Sequence, residues 1–230
     1  MQKTCALVPA FEAAETVGAV VHDLRTALGR PVIVVDDGSR DATADRARDH
    51  GAIVLRHEAN RGKGAALGTG LAEAARLGFD VAVTADADGQ HGGQGARAVL
   101  EGAADARAIV LGVRNLVRDG APRSHRFGNG VSNFFLSAFT MRRMRDTQCG
   151  LRRYPVAETL ALGVRAQGFD FEAEVILRAA AAGLSIVEVP VAVRYPAAGL
   201  KRSHFRLGRD PTRIVATVVR TLIDLRVRGS

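Results

Sequence analysis

Residues 80–91 read D-V-A-V-T-A-D-A-D-G-Q-H, an apolar run that ends in two carboxylates two residues apart, with an amide two residues further on. In an extended chain successive side chains alternate in direction, so Asp86, Asp88 and Gln90 fall on one side. Carboxylates converging at close range repel each other, which costs stability unless a cation lies between them. The plain alternative is a polar strand-to-helix turn, since Asp and Gly are ordinary turn residues. The choice between them depends on where the rest of the chain brings this stretch.

Working outward, short apolar runs at 5–8, 32–36, 52–55, 81–84, 108–113 and 186–193 alternate with Ala-rich helical patterns at 14–28, 41–49, 63–77 and 94–104. Strand, helix, strand at this spacing requires crossover connections. The expected fold is therefore α/β, a mainly parallel sheet with helices on both faces. In such sheets the ligand crevice lies at the carboxyl ends of the strands. Pro9, the pair Asp36 and Asp37, and the pair Asp86 and Asp88 all stand at those ends, so one crevice collects them. The second half is less regular. A helix with Phe127, Phe134, Phe135 and Phe139 runs into Arg142, Arg143 and Arg145; then come R-D-T-Q-C-G (145–150), another helix, and G-F-D-F-E-A-E (168–174) opening a further one.

The 230 residues suit one large domain, or a domain with an appendage. No apolar stretch approaches the ~20 residues a membrane span needs. The start, M-Q-K-T-C-A-L-V-P, runs straight into a strand pattern without a signal-peptide layout. Cys5 and Cys149 lack metal-type spacing and read as reduced thiols, so a cytoplasmic protein is expected. Of the net charge of +8, +6 falls in residues 201–230, where eight Lys and Arg face only Asp210 and Asp224. That basic surface suits nucleic acid, an anionic membrane or an acidic protein. A nucleic-acid module is poorly supported, because the charge is confined to one end and aromatic stacking residues are only 5% of the chain.

V-V-D-D-G-S-R-D-A-T (34–43) is a strand ending in two acids, a glycine turn and a capped helix. Asp36 or Asp37 can accept hydrogen bonds from a nucleobase or ribose; the alternative is a turn whose Ser39 or Asp41 caps the next helix. N-R-G-K-G-A-A-L (60–67) fails as a phosphate loop, because Gly64 stands where Ser or Thr is needed after the lysine. G-T-G-L-A-E (68–73) lacks the third glycine of a dinucleotide fingerprint. These glycines read as sites of close backbone approach at a helix start, with Lys63 lending charge to the crevice.

Taken in order, P-A-F-E-A-A-E-T-V, V-V-D-D-G-S-R-D-A-T, N-R-G-K-G-A-A-L, T-A-D-A-D-G-Q-H, G-V-R-N, D-T-Q-C-G-L-R and G-F-D-F-E-A-E closely resemble the family 2 glycosyltransferases of GT-A fold, specifically the dolichol-phosphate mannose synthase-like branch. The resemblance covers roughly residues 4–195. It implies a Rossmann-like GT-A catalytic domain over 1–200 that is an inverting, metal-dependent glycosyltransferase. It also implies a nucleotide-diphosphate sugar as donor and polyprenyl phosphate as acceptor. Asp86 and Asp88 match the family's DxD motif and Gln90 the amide that completes its site for Mg²⁺ or Mn²⁺, hard cations that take oxygen ligands. Pro9, Phe11 and Glu12 match the stretch that meets the nucleoside. Ala13 stands where this branch has an acid, leaving Glu12 as the neighbouring carboxylate. Arg114 and Arg126 match arginines that approach phosphates of donor or acceptor. Asp146 matches an acid near the acceptor, a base if the acceptor is a hydroxyl and less needed if it is a phosphate. Glu172 or Glu174 either orders the acceptor side or serves the helix start. His91 reads as structural. The alternatives are the same class acting on a sugar or lipid hydroxyl, or a non-catalytic nucleotide-binding relative.

The final segment opens on Asp210-Pro211, an N-cap followed by proline at the first helical position. Ile214, Val215, Val218, Val219, Leu222, Ile223 and Leu225 then form an apolar stripe. Ser203-His204-Phe205 and this helix match a C-terminal signature of part of the family. Bordered by Arg213, Arg220, Arg226 and Arg228, the helix is suited to an anionic membrane interface on the cytosolic side. Equally, its stripe can pack on its own domain, or on a second subunit to give a homo-oligomer.

Overall fold

All seven residues of β1 (Thr4–Ala10) are buried, and they alternate between two hydrophobic layers. Cys5 and Leu7 belong to the core on one face of the sheet, Ala6, Val8 and Ala10 to the core on the other. A strand that buries both faces must lie inside a covered sheet, and β1 does. The computed structural model describes residues 2–121, 123–193 and 210–228. In chain order the elements are β1, α1 (Val17–Leu28), β2 (Val32–Asp36), α2 (Thr43–Asp49), β3 (Ile53–Arg56), α3 (Lys63–Arg76), β4 (Val81–Thr84), α4 (Gly93–Glu101), β5 (Ile109–Arg114), α5 (Arg123–Thr140), β6 (Arg152–Pro155), α6 (Val156–Ala161), α7 (Phe171–Ala181), β7 (Ile186–Val191) and α8 (Asp210–Arg228).

The sheet runs β3-β2-β1-β4-β6-β5-β7, parallel throughout except for β6, which is antiparallel to both β4 and β5. From β1 the chain crosses to β2 on one side, and β4 pairs with β1 on the other. The strand order therefore reverses at β1 and β4, and a crevice opens beyond their carboxyl ends. The six strands expected from the sequence are present, each within two residues of the expected limits. β6 is the unexpected one. Its sequence, Arg-Arg-Tyr-Pro, lacks an apolar run, yet all four residues are buried. The Arg153 guanidinium donates to the carbonyls of Ala103, Asp105 and Ala106, so hydrogen bonds offset the burial of its charge.

α8 packs against α7 and α5. Val218 lies in the core, Leu222 packs against it, and the Thr217 hydroxyl donates to Asp170 Oδ2 at 2.7 Å. Val219 and Ile223 are exposed, so the stripe read from the sequence is divided between a docked side and an open one. Residues 194–209, with Ser203, His204 and Phe205, lie outside the described residues.

Candidate active site

The turn after β4 is fixed from three sides. Ala85 N–H donates to Leu7 O, Thr16 Oγ1 donates to Ala87 O at 2.6 Å, and Asp88 Oδ1 accepts the Gln90 N–H at 2.9 Å. Asp86 is partly buried and Asp88 exposed. The floor under Asp86 is Gly150: a Cβ there would lie 2.7 Å from the Asp86 carboxyl carbon. Lys63, the first residue of α3, places its Nζ 2.7 Å from Asp86 Oδ1 and 3.1 Å from Glu172 Oε1. Burial alone would depress the lysine, but Asp86 and Glu172 more than offset it and hold it above its ordinary range. Burial would likewise raise Asp86, but Lys63, helped by His91 and Arg114, more than offsets it, so that carboxyl is held low. Asp88 has no such partner; crowding by surrounding protein, then the charge of Asp86, pushes it up to about 6.

What brings Lys63 here is the loop before it. The Asp37 carboxylate accepts the N–H groups of Arg61 (3.0 Å) and Gly62 (2.7 Å), and its Oδ1 lies 2.6 Å from His57 Nδ1. Gly62 has φ +101°, a backbone that side-chain-bearing residues rarely adopt, and a Cβ there would meet the backbone of Gln167. Asp36 is fully buried, with Oδ1 on the Ser39 N–H and Oδ2 3.2 Å from Arg56 Nε. Glu12 has φ +50°, donates its N–H to Ser39 Oγ and takes the Arg40 N–H on Oε1. Pro9 is buried in β1, with Phe11 half-buried just beyond it. The ends of β1 and β2 thus form one hydrogen-bonded rim, in which Asp36, Asp37 and Glu12 all have protein partners.

On the opposite rim Arg114, the last residue of β5, holds Asp146 with Nε at 2.7 Å and a terminal nitrogen at 3.0 Å, and its backbone N–H donates to the same carboxylate. Asp146 is 1% exposed. Arg126 is half-buried in the first turns of α5 and makes no ion pair among the described residues. His91 is buried, its Nε2 3.9 Å from Cys149 Sγ and its Nδ1 without a hydrogen-bond partner among the described residues. Burial holds it neutral, down to about 4.

Two residues of this site carry no distinct signal in the sequence. Arg152 is completely buried and donates to the carbonyls of Thr147, Cys149 and Glu172, which ties the 147–150 loop to the start of α7. Gly150 supplies the space for Asp86. Both lie within D-T-Q-C-G-L-R, but single letters do not reveal a guanidinium among three carbonyls. Glu172 faces Lys63, whereas Glu174 is bound to the N–H groups of Arg165 and Ala166 and to Arg178, a structural role.

Asp86 and Asp88 are hard oxygen donors on one turn, and the surrounding protein, together with the charge of Asp86, leaves Asp88 reluctant to ionise. That donor set suits a divalent cation. Among the described residues no group of three or more His, Cys, Asp and Glu side chains would hold a metal, so the remaining ligands would be Gln90, water or the oxygens of a bound substrate.

The sequence profile of the family described as Glycosyl transferase family 2 matches residues 5–157. A dolichyl-phosphate hexose transferase of Haloferax volcanii is 32% identical, with 93% of this chain and 91% of that protein covered. A polyprenol monophosphomannose synthase of Mycolicibacterium smegmatis is 31% identical over 83% of this chain and 77% of that one. Among solved structures, glucosyl-3-phosphoglycerate synthase of Mycobacterium tuberculosis, in complex with Mg²⁺ and UDP, superposes with a TM-score of 0.75 at 20% identity, covering 96% of this chain and 79% of that one. That likeness identifies the fold as GT-A.

Proposed function

The chain belongs to glycosyltransferase family 2, and from that premise we propose that it transfers a sugar, with inversion, from a nucleotide-diphosphate sugar to polyprenyl phosphate. The observation that carries this reading is the strand-end pair Asp86 and Asp88 at the switch point of the sheet, with Lys63 against Asp86. Asp86, Asp88 and Gln90 would hold Mg²⁺ or Mn²⁺. A cation bound there supplies Lewis-acid stabilisation of the negative charge on a departing diphosphate.

The chain's own residues do the rest. Pro9, Phe11, Glu12, Asp36 and Asp37 frame the nucleoside end of the crevice, and the loop pinned by Asp37 presents Lys63 toward the phosphates. On the far rim Arg126 takes the acceptor phosphate, while Arg114, held in place by Asp146, lines the same side of the crevice. An acceptor phosphate oxygen attacks the anomeric carbon as the bond to the diphosphate oxygen breaks, and no proton has to leave the nucleophile. The relatives named for dolichyl and polyprenol acceptors support this choice. So does the pairing of Asp146, whose two carboxylate oxygens both accept from Arg114. On this reading the enzyme works at the cytosolic face of a membrane, and no described helix is long and apolar enough to cross one.

The test is to incubate the protein and Mg²⁺ with a panel of UDP- and GDP-sugars, offering polyprenyl phosphate and the matching polyprenol in parallel. A glycosylated prenyl phosphate from one donor class, with no product from the alcohol, is expected. Product on the alcohol alone would move the activity to the hydroxyl-acceptor branch with Asp146 as base.

A further inference from the structure

Lys63 divides one ammonium between two carboxylates of different kinds. Its Nζ lies 2.7 Å from Asp86 Oδ1, which opens to the crevice, and 3.1 Å from Glu172 Oε1, which is buried. The Phe169 ring adds a third contact, 5.7 Å from Nζ to its centre. The backbone beneath the lysine is fixed from the other side. Ala65 N–H donates to Gln167 O at 3.1 Å, and a Cβ on Gly64 would lie 2.7 Å from both Ala166 O and Phe171 Cβ. With the peptide held, the motion left to Lys63 is that of its four-carbon stem, which lets Nζ shift its weight from one acid to the other.

Glu172 is the less mobile of the two acids. It stands in the first turn of α7, its backbone carbonyl accepts from the fully buried Arg152 at 3.1 Å, and its Oε1 lies 3.9 Å from Arg152 Nε. Transfer to a phosphate asks for no buried glutamate here, since its charge weakens the positive potential that Lys63 offers to a diphosphate. What Glu172 provides is a second acceptor for the ammonium. That matters to Asp86, because the carboxylate oxygens that accept from an ammonium are the ones a divalent cation takes. Two positive ions on one carboxylate also repel each other.

We infer that Glu172 is a positioning residue acting through Lys63: by drawing the ammonium off Asp86, it sets how tightly Asp86 takes a divalent cation, for which Lys63 competes. The diphosphate of a donor is a further acceptor for Lys63, and a lysine drawn onto it frees Asp86 in the same way. Cation and nucleoside diphosphate thus strengthen each other's binding, and linkage makes the effect reciprocal. The inference deepens the proposed function, on which it rests for the cation and the diphosphate.

Mn²⁺ binding to the full chain reads this without any sugar, from the electron paramagnetic resonance of the free ion, with and without UDP or GDP. Without nucleotide, Glu172→Gln should weaken Mn²⁺ binding ~10-fold, inside the ~5- to 150-fold range of coupled sites, because Lys63 then rests on Asp86 alone. Lys63→Met should strengthen it by a similar factor. On that background Glu172→Gln should change it by less than ~2-fold, the ordinary error of additivity, since the lysine through which Glu172 acts is gone. The double variant removes one charge of each sign and spares Asp86 and Glu172 from facing each other uncompensated. It serves where Lys63→Met alone does not fold, and it should still bind Mn²⁺ more tightly than the parent. Parent-level affinity in Glu172→Gln overturns the inference. So does an equal loss from Glu172→Gln on both backgrounds, which would make Glu172 a distant charge only, or a double variant no tighter than the parent. Those results leave the transfer reading standing, whereas a parent that binds no Mn²⁺ even with UDP or GDP overturns the metal site and this inference together.

Discussion

Arg114 grips both carboxylate oxygens of Asp146, at 2.7 and 3.0 Å, and Asp146 is 1% exposed. Both carboxylate oxygens are thereby committed to the guanidinium, and on the proposed function Asp146 acts by fixing Arg114 and not by taking a proton. Removing its charge breaks a largely buried ion pair, a loss that costs ~3–5 kcal/mol. Asp146→Asn is therefore expected to lower the melting temperature by roughly 6–20 °C, at ~2–4 °C per kcal/mol for a chain of this size. Calorimetry beside a transfer assay checks this. An unchanged melting temperature with transfer abolished would assign Asp146 to proton transfer.

Gly150 is needed for the space it leaves, since a Cβ would collide with the Asp86 carboxylate. Gly150→Ala should leave a folded protein and displace Asp86 by a fraction of an ångström or more. Misplacing a group at the reacting centre by ~1 Å can cost ~100-fold in rate. Steady-state kinetics alongside circular dichroism would show that pattern, and kcat/KM at the parent's level would mean that Asp86 is not held against this loop.

Much of this site was legible in the sequence because it sits where strands end. Apolar runs of β-type length located β1, β2 and β4, and the Asp-Asp and Asp-Ala-Asp that end the last two marked the crevice between them. Antiparallel β6 was not legible, because Arg152 and Arg153 replace the apolar residues that mark a strand, and the carbonyls that bind them, Glu172 for Arg152 and Ala103 for Arg153 among them, are gathered by the fold. The partners of Asp37 and Asp146 were hidden for the same reason. An isolated acid reads alike whether it meets ligand, loop or arginine, and only the fold brings Gly62 to Asp37 or Arg114 to Asp146.

His91 carries a pH dependence that the fold creates. Its folded pKa, about 4, lies below the ordinary 6.5 because burial disfavours the charged ring. Protonation therefore favours the unfolded chain, and stability present above 6.5 is lost as pH falls through about 4, by ~3 kcal/mol for this group. In His91→Leu, which removes a ring making only a long contact to Cys149, that part of the acid sensitivity should vanish. Melting curves of both proteins across this range decide it, and parallel losses would mean the ring already meets solvent.

Arg126 is assigned to the acceptor. Removing a charge-assisted phosphate contact costs ~1.5–3 kcal/mol on the ligand that used it. Arg126→Ala should thus reduce kcat/KM for polyprenyl phosphate by roughly 10- to 150-fold and leave donor affinity, read by calorimetry, near the parent's. An equal fall in donor affinity would place this arginine on the diphosphate.

The most direct measurement is transfer of labelled sugar to polyprenyl phosphate by the parent protein and by Asp88→Ala, each with Mn²⁺ and with chelator. Asp88 is exposed on a turn held by backbone contacts, so its loss opens no cavity and relieves repulsion from Asp86. The account predicts cation-dependent transfer by the parent, and a folded Asp88→Ala protein that is inactive with or without Mn²⁺. Full transfer by Asp88→Ala, or a parent indifferent to chelator, would contradict it.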